Sequence, residues 1–471
     1  MKALNQLTIK EAREGLAQKK FSSLELTKAC LAQIKKDNQK IKAFITVREK
    51  EALEEAKAAD KSLKQPSTTN QPLLGIPIAI KDLYLTKGIR TTAGSKVLDD
   101  YLPQYDATAV ARLKKGGAII IGKTNLDAWA HGSSGENSDY GPTRNPWNLD
   151  YVPGGSSSGS AAALAASMCL ASTGTDTGGS IRLPASFCNL VGLKPTYGRV
   201  SRYGVVAMAS SLDSMGHFSR SVFDAALILN LTAGHDPHDA TTPQKAVPDY
   251  TQKIKKGIKG LKIGLPSEYF GQGLDQEMRK AAEEAIKKME RLGAKMIKIS
   301  LPHTGYALAA YYLIQPSEVS SNLARYDGIR YGFPREKFAD EAKRRIMLGT
   351  FALSAGYYEA YYLKAMKVRT LIKQDFEKAF SKVDVILTPV SPNPPFKLGE
   401  KINDPLKMYL SDILAVPANL AGIPGLTMPA GFVNGLPVGI QFLGPQFSEE
   451  LLFQVGDAYE QATDWQSRRP E

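Results

Sequence analysis

Gly154-Gly155-Ser156-Ser157-Ser158-Gly159-Ser160 and, after an Ala-rich run, Thr175-Asp176-Thr177-Gly178-Gly179-Ser180-Ile181-Arg182 form the stretch around which the rest of the chain is read. Glycine permits backbone angles and close approaches of main-chain N–H groups that other residues resist, and serine brings hydroxyls. Two such loops can build a nucleophile and an oxyanion hole if they are buried together. The run between them, Ser160 to Ala171, is almost wholly Ala, Leu, Ser, Met and Cys. It predicts a helix that is apolar all round, a core element that holds both loops rigid.

Other readings of the same residues exist. Gly/Ser stretches are commonly flexible connections. A Gly-rich turn entering a helix can also cradle an anion, but no Gly-Lys-Ser/Thr follows, which argues against a nucleotide-binding loop. Gly155 to Gly159 satisfies the Gly-x-Ser-x-Gly elbow of a Ser/His/Asp hydrolase around Ser157, although no strong strand precedes it.

With 471 residues, 43% hydrophobic and 23% charged, the chain has the composition of a globular enzyme with a large core. Sixty Lys plus Arg against 47 Asp plus Glu leave a net charge of +13. That excess admits a nucleic-acid reading, but the basic residues are scattered and suggest a general surface field. Cys30, Cys169 and Cys188 share no metal-ligand spacing and are too few for a disulfide framework. The N-terminus carries no long apolar segment, and nowhere do about eighteen apolar residues run together. These features predict a cytoplasmic, soluble protein without a membrane span.

Residues 8 to 62 read as helical, with capping boxes at Thr8-x-x-Glu11 and Ser22-x-x-Glu25 and a stripe of Leu26, Ala29, Cys30 and Ile34. A polar loop is expected over 67–71, then an apolar strand from Leu74 to Ile80 that leaves Lys81 at its C-terminal end, where open α/β sheets gather ligands. The ordinary fate of a lysine is solvent exposure. Asp106 to Lys115, Gly116-Gly117 and Ala118 to Gly122 predict helix, stop and buried strand. His131 to Ser138 is a polar loop expected to line the pocket. His131, His217, His235, His238 and His303 stand in unrelated contexts, so a structural or exposed role is expected for each rather than a triad role. Beyond Pro248 the pattern predicts strand Leu261 to Leu265, helix Asp275 to Leu292 and strand Lys295 to Ile299. Residues 306 to 380 are helical and Tyr-rich, and Val383 to Leu387 is a strand. Leu426 to Val433 and Leu436 to Leu443 flank Asn434-Gly435 as a hairpin. The sheet is therefore mixed.

As a whole the segment resembles the amidase signature family, whose pattern is found here at 154–160, at 174–182 and in Gly192-Leu193-Lys194-Pro195-Thr196. The family's upstream Lys-Asp after an apolar strand is matched by Gly75-Ile76-Pro77-Ile78-Ala79-Ile80-Lys81-Asp82. Two departures stand out: Ser158 replaces a usual glycine, and the region between Tyr331 and Arg345 is short. The resemblance implies an α/β fold in which a large mixed, twisted sheet is sandwiched between layers of helices. It implies one amidase-type unit over 1–471, with a helical segment over 1–65 and a signature core over 70–240. A segment over 241–380 covers the active site, and strands and a helix over 381–471 complete the sheet. It also implies a Ser/Ser/Lys triad, with Ser180 as nucleophile, Ser156 as bridging hydroxyl on a cis peptide, and Lys81 as base. The oxyanion falls to main-chain N–H groups of Thr177, Gly178, Gly179 and Ser180. A lysine with an ordinary pKa of about 10.4 is almost wholly charged at pH 8, so burial must lower it first. Asp176 and Arg182 are read as a buried supporting pair, and no metal is expected.

Within the family the likeness is greatest to the glutaminases that feed ammonia to tRNA-dependent amidotransferases, notably in Lys194 to Arg202. This implies glutamine as substrate, with Arg345, Asp412 and Tyr311 around its α-carboxylate and α-ammonium. By pattern alone Lys343-Arg344-Arg345-Ile346 is a solvated basic helix face and Asp412 a surface carboxylate. The resemblance further implies a heterotrimer: a B subunit that binds tRNA and uses ATP and Mg2+, and a small C subunit bridging the two, with no cofactor in this chain. A stand-alone amidase acting on a simple acyl or aryl amide is the alternative, and a basic RNA-binding scaffold a third. The choice between Gln-tRNA and Asn-tRNA as product stays open.

Overall fold

The computed structural model describes residues 2–64, 71–329 and 332–470. Its centre is a sheet of eleven strands: β1 (Phe44–Val47), β2 (Pro77–Lys81), β3 (Ile119–Thr124), β4 (Ala171–Asp176), β5 (Val191–Lys194), β6 (Ser214–Ser219), β7 (Lys262–Pro266), β8 (Lys295–Ile299), β9 (Val385–Pro389), β10 (Gly425–Val433) and β11 (Leu436–Leu443). They lie in the order β1-β3-β2-β4-β6-β5-β10-β11-β9-β7-β8. Pairing is parallel for β2 with β3 and β4, and for β7 with β8 and β9; the remaining pairs are antiparallel. The expected mixed α/β sheet is what the chain forms.

The helices are α1 (Ile9–Ala17), α2 (Ser23–Ile41), α3 (Glu49–Ser62), α4 (Thr108–Lys115), α5 (Ser158–Ala165), α6 (Arg182–Phe187), α7 (Val222–Thr232), α8 (Gln276–Arg291), α9 (Ala307–Leu323), α10 (Asp340–Ala352), α11 (Lys364–Phe380), α12 (Pro405–Leu410), α13 (Val416–Ala421) and α14 (Glu449–Gln461). Both capping boxes form at the starts of α1 and α2, where each side-chain oxygen meets the third helical N–H. Helices α7 and α14 pack on the centre of the sheet, and α9, α10, α11 and α13 pack on one another near the strand ends that carry the site.

Several boundaries differ from expectation. The N-terminal stretch is not continuous helix: Lys42 adopts a left-handed conformation (φ 55°) that ends α2, and Phe44–Val47 then pairs with β3 at the sheet edge. Four residues are too few to impose a period of two on a helical background. The helix expected from Ser160 to Ala171 is α5, shorter and earlier, and Ala171 already belongs to β4. Its burial on every side is as expected. Strands β5 and β6 carry little hydrophobic alternation, yet they lie fully inside the sheet. The Tyr-rich region divides into α9, α10, a π-helical turn Tyr358–Leu363 and α11. The expected hairpin forms, and its turn holds both central residues at positive φ, Asn434 at 51° and Gly435 at 79°, as a type I′ turn requires. The loop expected over 67–71 lies outside the described residues except for Gln71, as does Tyr331 at one bound of the short region.

Candidate active site

Strand β2 ends on Lys81 and its parallel neighbour β4 ends on Asp176, so both strands deliver their next residues to the same edge of the sheet. The Lys81 side chain is fully buried rather than solvated. Its Nζ donates to Thr175 Oγ1 at 2.7 Å, Ser157 Oγ at 2.8 Å and Ser156 Oγ at 2.9 Å, while its main-chain N–H bonds Thr173 Oγ1 at 2.9 Å. Burial pushes the Lys81 ammonium down to about 7, against the opposing pull of Asp127, Asp176 and Asp213. Three hydroxyl partners match the three donors of an ammonium; once neutral, the amine can accept from one of them.

The turn before α5 brings Ser156 to this lysine. The Gly155–Ser156 peptide is cis, and a Cβ on Gly155 would collide with the Asp127 carboxylate. Only glycine lets that backbone pass. Gly155 N–H donates to Ser133 O at 2.8 Å and Asp127 N–H to Ser156 O at 3.2 Å. The Asp127 carboxylate also accepts from Gly135 N–H at 3.0 Å and Asn137 N–H at 3.0 Å, tying the 131–138 loop to the Ser156 turn. Ser157 is fully buried and committed to Lys81 and to Thr175 O, at 3.2 Å, which is incompatible with the elbow reading of an exposed nucleophile.

The second loop wraps around one carboxylate. Asp176 accepts from Gly179 N–H at 2.9 Å, from Ile181 and Arg182 N–H at 3.2 Å each, and from Arg182 Nε and Nη2 at 3.0 Å each. Asn419 Nδ2 adds a bond at 2.9 Å. Burial opposes ionisation here, but the Arg182 guanidinium holds Asp176 far below the usual carboxylate range. Asp176 and Arg182 thus form a buried supporting pair, as their flanking positions suggest, and Gly179 takes φ 131°, a conformation that favours glycine. Because the Gly179 N–H is engaged with Asp176, it is not free to meet an oxyanion, contrary to its place in the expected set. Ser180, at the crest, retains 8% exposure, whereas Lys81 and Ser156 retain none; its carbonyl accepts from Ser157 N–H at 3.3 Å.

Tyr311 and Asp412 border that crest, and the Arg345 charge acts on both. A Cβ on Gly178 would meet the Tyr311 hydroxyl at 2.8 Å, and one on Gly179 would stand 3.6 Å from Asp412 Oδ1. Asp412 is buried in the turn between α12 and α13 and accepts from Ser133 Oγ. Burial raises Asp412 to about 7, with the Ser133 bond and Arg345 acting the other way. Arg345 is not on a solvated face either: its side chain is 3% exposed. Its Nε bonds Glu341 Oε1 at 2.8 Å and its Nη1 bonds Gln315 Oε1 at 2.8 Å. Its guanidinium lies 5.3 Å from the ring centre of Tyr312 and 5.5 Å from that of Tyr409, two rings stacked at 3.8 Å. A cleft of about 430 Å³ reaches Arg345 between Gly132, Asn137, Glu341 and Tyr409.

Asp127, Glu341 and Gln315 carry no local sequence signal that ties them to this site; Ser157, Thr175 and Ser133 lie in stretches the sequence marks, but their bonds to Lys81 and Asp412 are set by the fold. His131 is fully buried, and among the described residues neither ring nitrogen has a hydrogen-bond partner, so it activates neither serine. His217 Nε2 bonds Ala225 O at 2.9 Å. The three cysteines are free and buried. Among the described residues no group of three or more His, Cys, Asp or Glu is placed to hold a metal, and no helix is long and apolar enough to cross a membrane.

Known proteins share this architecture. The amidase family model matches residues 25–453. The A subunit of a glutamyl-tRNA(Gln) amidotransferase from Geobacter metallireducens is 56% identical, with 98% of each chain covered. The crystal structure of the corresponding A subunit of a glutamyl-tRNA(Gln) amidotransferase from Thermotoga maritima superposes with a TM-score of 0.82 at 45% identity, covering 98% of this chain and 95% of that one. A 6-aminohexanoate cyclic dimer hydrolase superposes with a TM-score of 0.89 at 27% identity, covering 100% and 99%. The backbone is common to this chain and both solved structures, and identity separates the amidotransferase proteins from the hydrolase.

Proposed function

The chain belongs to the amidase family, and from that premise we propose that it hydrolyses glutamine to glutamate and ammonia as the A subunit of a tRNA-dependent amidotransferase, a ligase overall. The observation that carries the chemistry is a fully buried lysine bonded to Ser156 beneath the loop that presents Ser180. The preference for an amidotransferase component over a stand-alone amidase rests on identity of 56% and 45% to proteins of that name over nearly their whole length, against 27% to the hydrolase.

In this reading neutral Lys81 takes the Ser156 proton while Ser156 takes the proton of Ser180, whose oxygen attacks the carboxamide carbon. The oxyanion is met by main-chain N–H groups of Thr177, Gly178 and Ser180, with Gly179 serving as the bend that aims them. On collapse the relayed proton goes to the departing nitrogen, ammonia leaves, and an ester remains on Ser180. Water then attacks the ester, giving its proton to the same relay and releasing glutamate. Asp412 pairs with the substrate ammonium and Arg345 with its carboxylate, and Tyr311 closes the wall behind Gly178.

The remaining subunits, B and C, take the ammonia to Glu-tRNA(Gln) or Asp-tRNA(Asn) in the cytoplasm, with tRNA, ATP and Mg2+ bound by B. The test is co-purification from native cells followed by assay of the purified complex. Glutamine-dependent amidation of misacylated tRNA is the expected result. A chain that purifies alone and hydrolyses simple amides as fast as glutamine is a stand-alone amidase instead.

A further inference from the structure

Polar groups beside Arg345 remain unused by this chemistry. Gln315, on α9, is fully buried; its Oε1 accepts from Arg345 Nη1 at 2.8 Å, and its Nε2 has no hydrogen-bond partner among the described residues. A guanidinium can only donate, so this bond fixes the amide with its carbonyl toward Arg345 and its two N–H donors at the opposite end. Both ring nitrogens of His131 are equally unpartnered among the described residues, and its neighbour in the chain, Gly132, lines the same cleft as Arg345. Unpaired polar atoms are costly in a dry interior, and where they persist something is positioned to bond them.

The state of Arg345 supplies the reason. Arg345 is already engaged with Glu341, whose Oε1 also accepts from the Tyr409 hydroxyl at 3.2 Å and whose Oε2 pairs with Arg344 at the surface. A ligand carboxylate entering here therefore meets an ion pair rather than a free cation. It needs additional donors to be held in a water-excluded place. We propose that Gln315 and His131 are specificity-determining residues that, together with Arg345, receive the α-carboxylate of the amino-acid substrate, the Gln315 amide and one ring N–H of His131 donating to its oxygens. Burial and the neighbouring Arg345 hold His131 well below the usual histidine range, so it adds a donor without a second positive charge. The inference rests on glutamine as the substrate.

The test uses the full chain in its purified complex, with glutamine as substrate and 4-aminobutanamide as competitor. The competitor is glutamine without its α-carboxylate. Gln315→Glu keeps the acceptor for Arg345 but removes both amide donors, and His131→Phe removes the ring nitrogens. Each is expected to raise the KM for glutamine by roughly ten- to hundred-fold, the range of a hydrogen bond to a charged group, with kcat within a few-fold. The inhibition constant of 4-aminobutanamide should stay within about three-fold, and His131→Gln, which restores a donor, should recover much of the affinity. An unchanged glutamine KM, or equal weakening of both ligands, overturns the inference and makes the two residues packing elements. If either variant fails to assemble, Gln315→Met and His131→Asn are judged by the same pair of constants. Wild-type complex that does not hydrolyse glutamine at all removes the proposed function and this inference together; wild-type turnover with unmoved variants removes the inference alone.

Discussion

Lys81 Nζ lies 2.9 Å from Ser156 Oγ, and neither side chain is exposed to solvent. A lysine in this setting has little to gain from its charge except the nearby carboxylates of Asp127, Asp176 and Asp213, and burial outweighs them. The pair is therefore poised between ammonium–hydroxyl and amine–hydroxyl forms near neutral pH. That balance sets the pH dependence of the reaction.

Because burial lowers Lys81 to about 7, the neutral, proton-accepting form grows as pH rises through that value. Glutaminase kcat/KM is expected to increase by about tenfold or more per pH unit on the acid side, since Asp412 must also ionise near the same value, and to level off above neutrality. A profile measured from pH 5.5 to 9 in the complex checks this. A limb displaced toward 10, where an ordinary lysine titrates, removes Lys81 as the base, as does Lys81→Ala with near-normal activity.

Ser180→Ala should abolish glutamine hydrolysis, by roughly 10⁴-fold or more, since residues acting as one catalytic unit fail together. Ammonium chloride should restore tRNA amidation by the same complex, because free ammonia bypasses this chain. Loss of both reactions would contradict the division of labour between subunits.

Arg345→Ala leaves Glu341 with only the partly exposed Arg344 as its cation, so the cleaner variant is Arg345→Ala with Glu341→Gln. Breaking a buried charge pair with a ligand costs about 2 to 5 kcal/mol, or roughly 30- to 5,000-fold in kcat/KM. Glutamine hydrolysis should fall by that order, while a simple acyl amide that carries neither charged group should lose little. Steady-state kinetics with both substrates give the comparison; parallel losses would reassign Arg345 to the framework.

Asp176→Asn should damage the fold as well as activity, for it leaves Arg182 as an unpaired buried cation at a cost of about 3 to 5 kcal/mol. The carboxyl is held below its ordinary 3.8 in the folded chain. Its stabilisation is therefore complete above that ordinary value and is lost as pH falls toward the folded one. Thermal melts at pH 7 should show a lower Tm for the variant, and the gap should narrow below about pH 4. Equal melting temperatures at pH 7 would mean that Asn419 and the main chain alone hold the loop.

The chain order itself determined the small-residue helix, the two loops around it and the lysine at a strand end, because these depend on neighbours in sequence: Ala packs on all sides, paired glycines and serines make turns, and Pro77 to Ile80 make a buried strand. It also determined the Asp176–Arg182 pair, six residues apart. The tertiary structure alone decided the rest. Strands β4 and β6 are polar and short, and they exist as strands because partners on either side satisfy their backbone in the middle of the sheet. Ser133 reaches Asp412 across 279 positions and Gln315 reaches Arg345 across 30. No periodicity or motif links such residues, since the bond forms only after the helices have packed. By the same route the Gly179 N–H passed from the expected oxyanion set to the Asp176 carboxylate, a choice made by the shape of the loop and not by its letters.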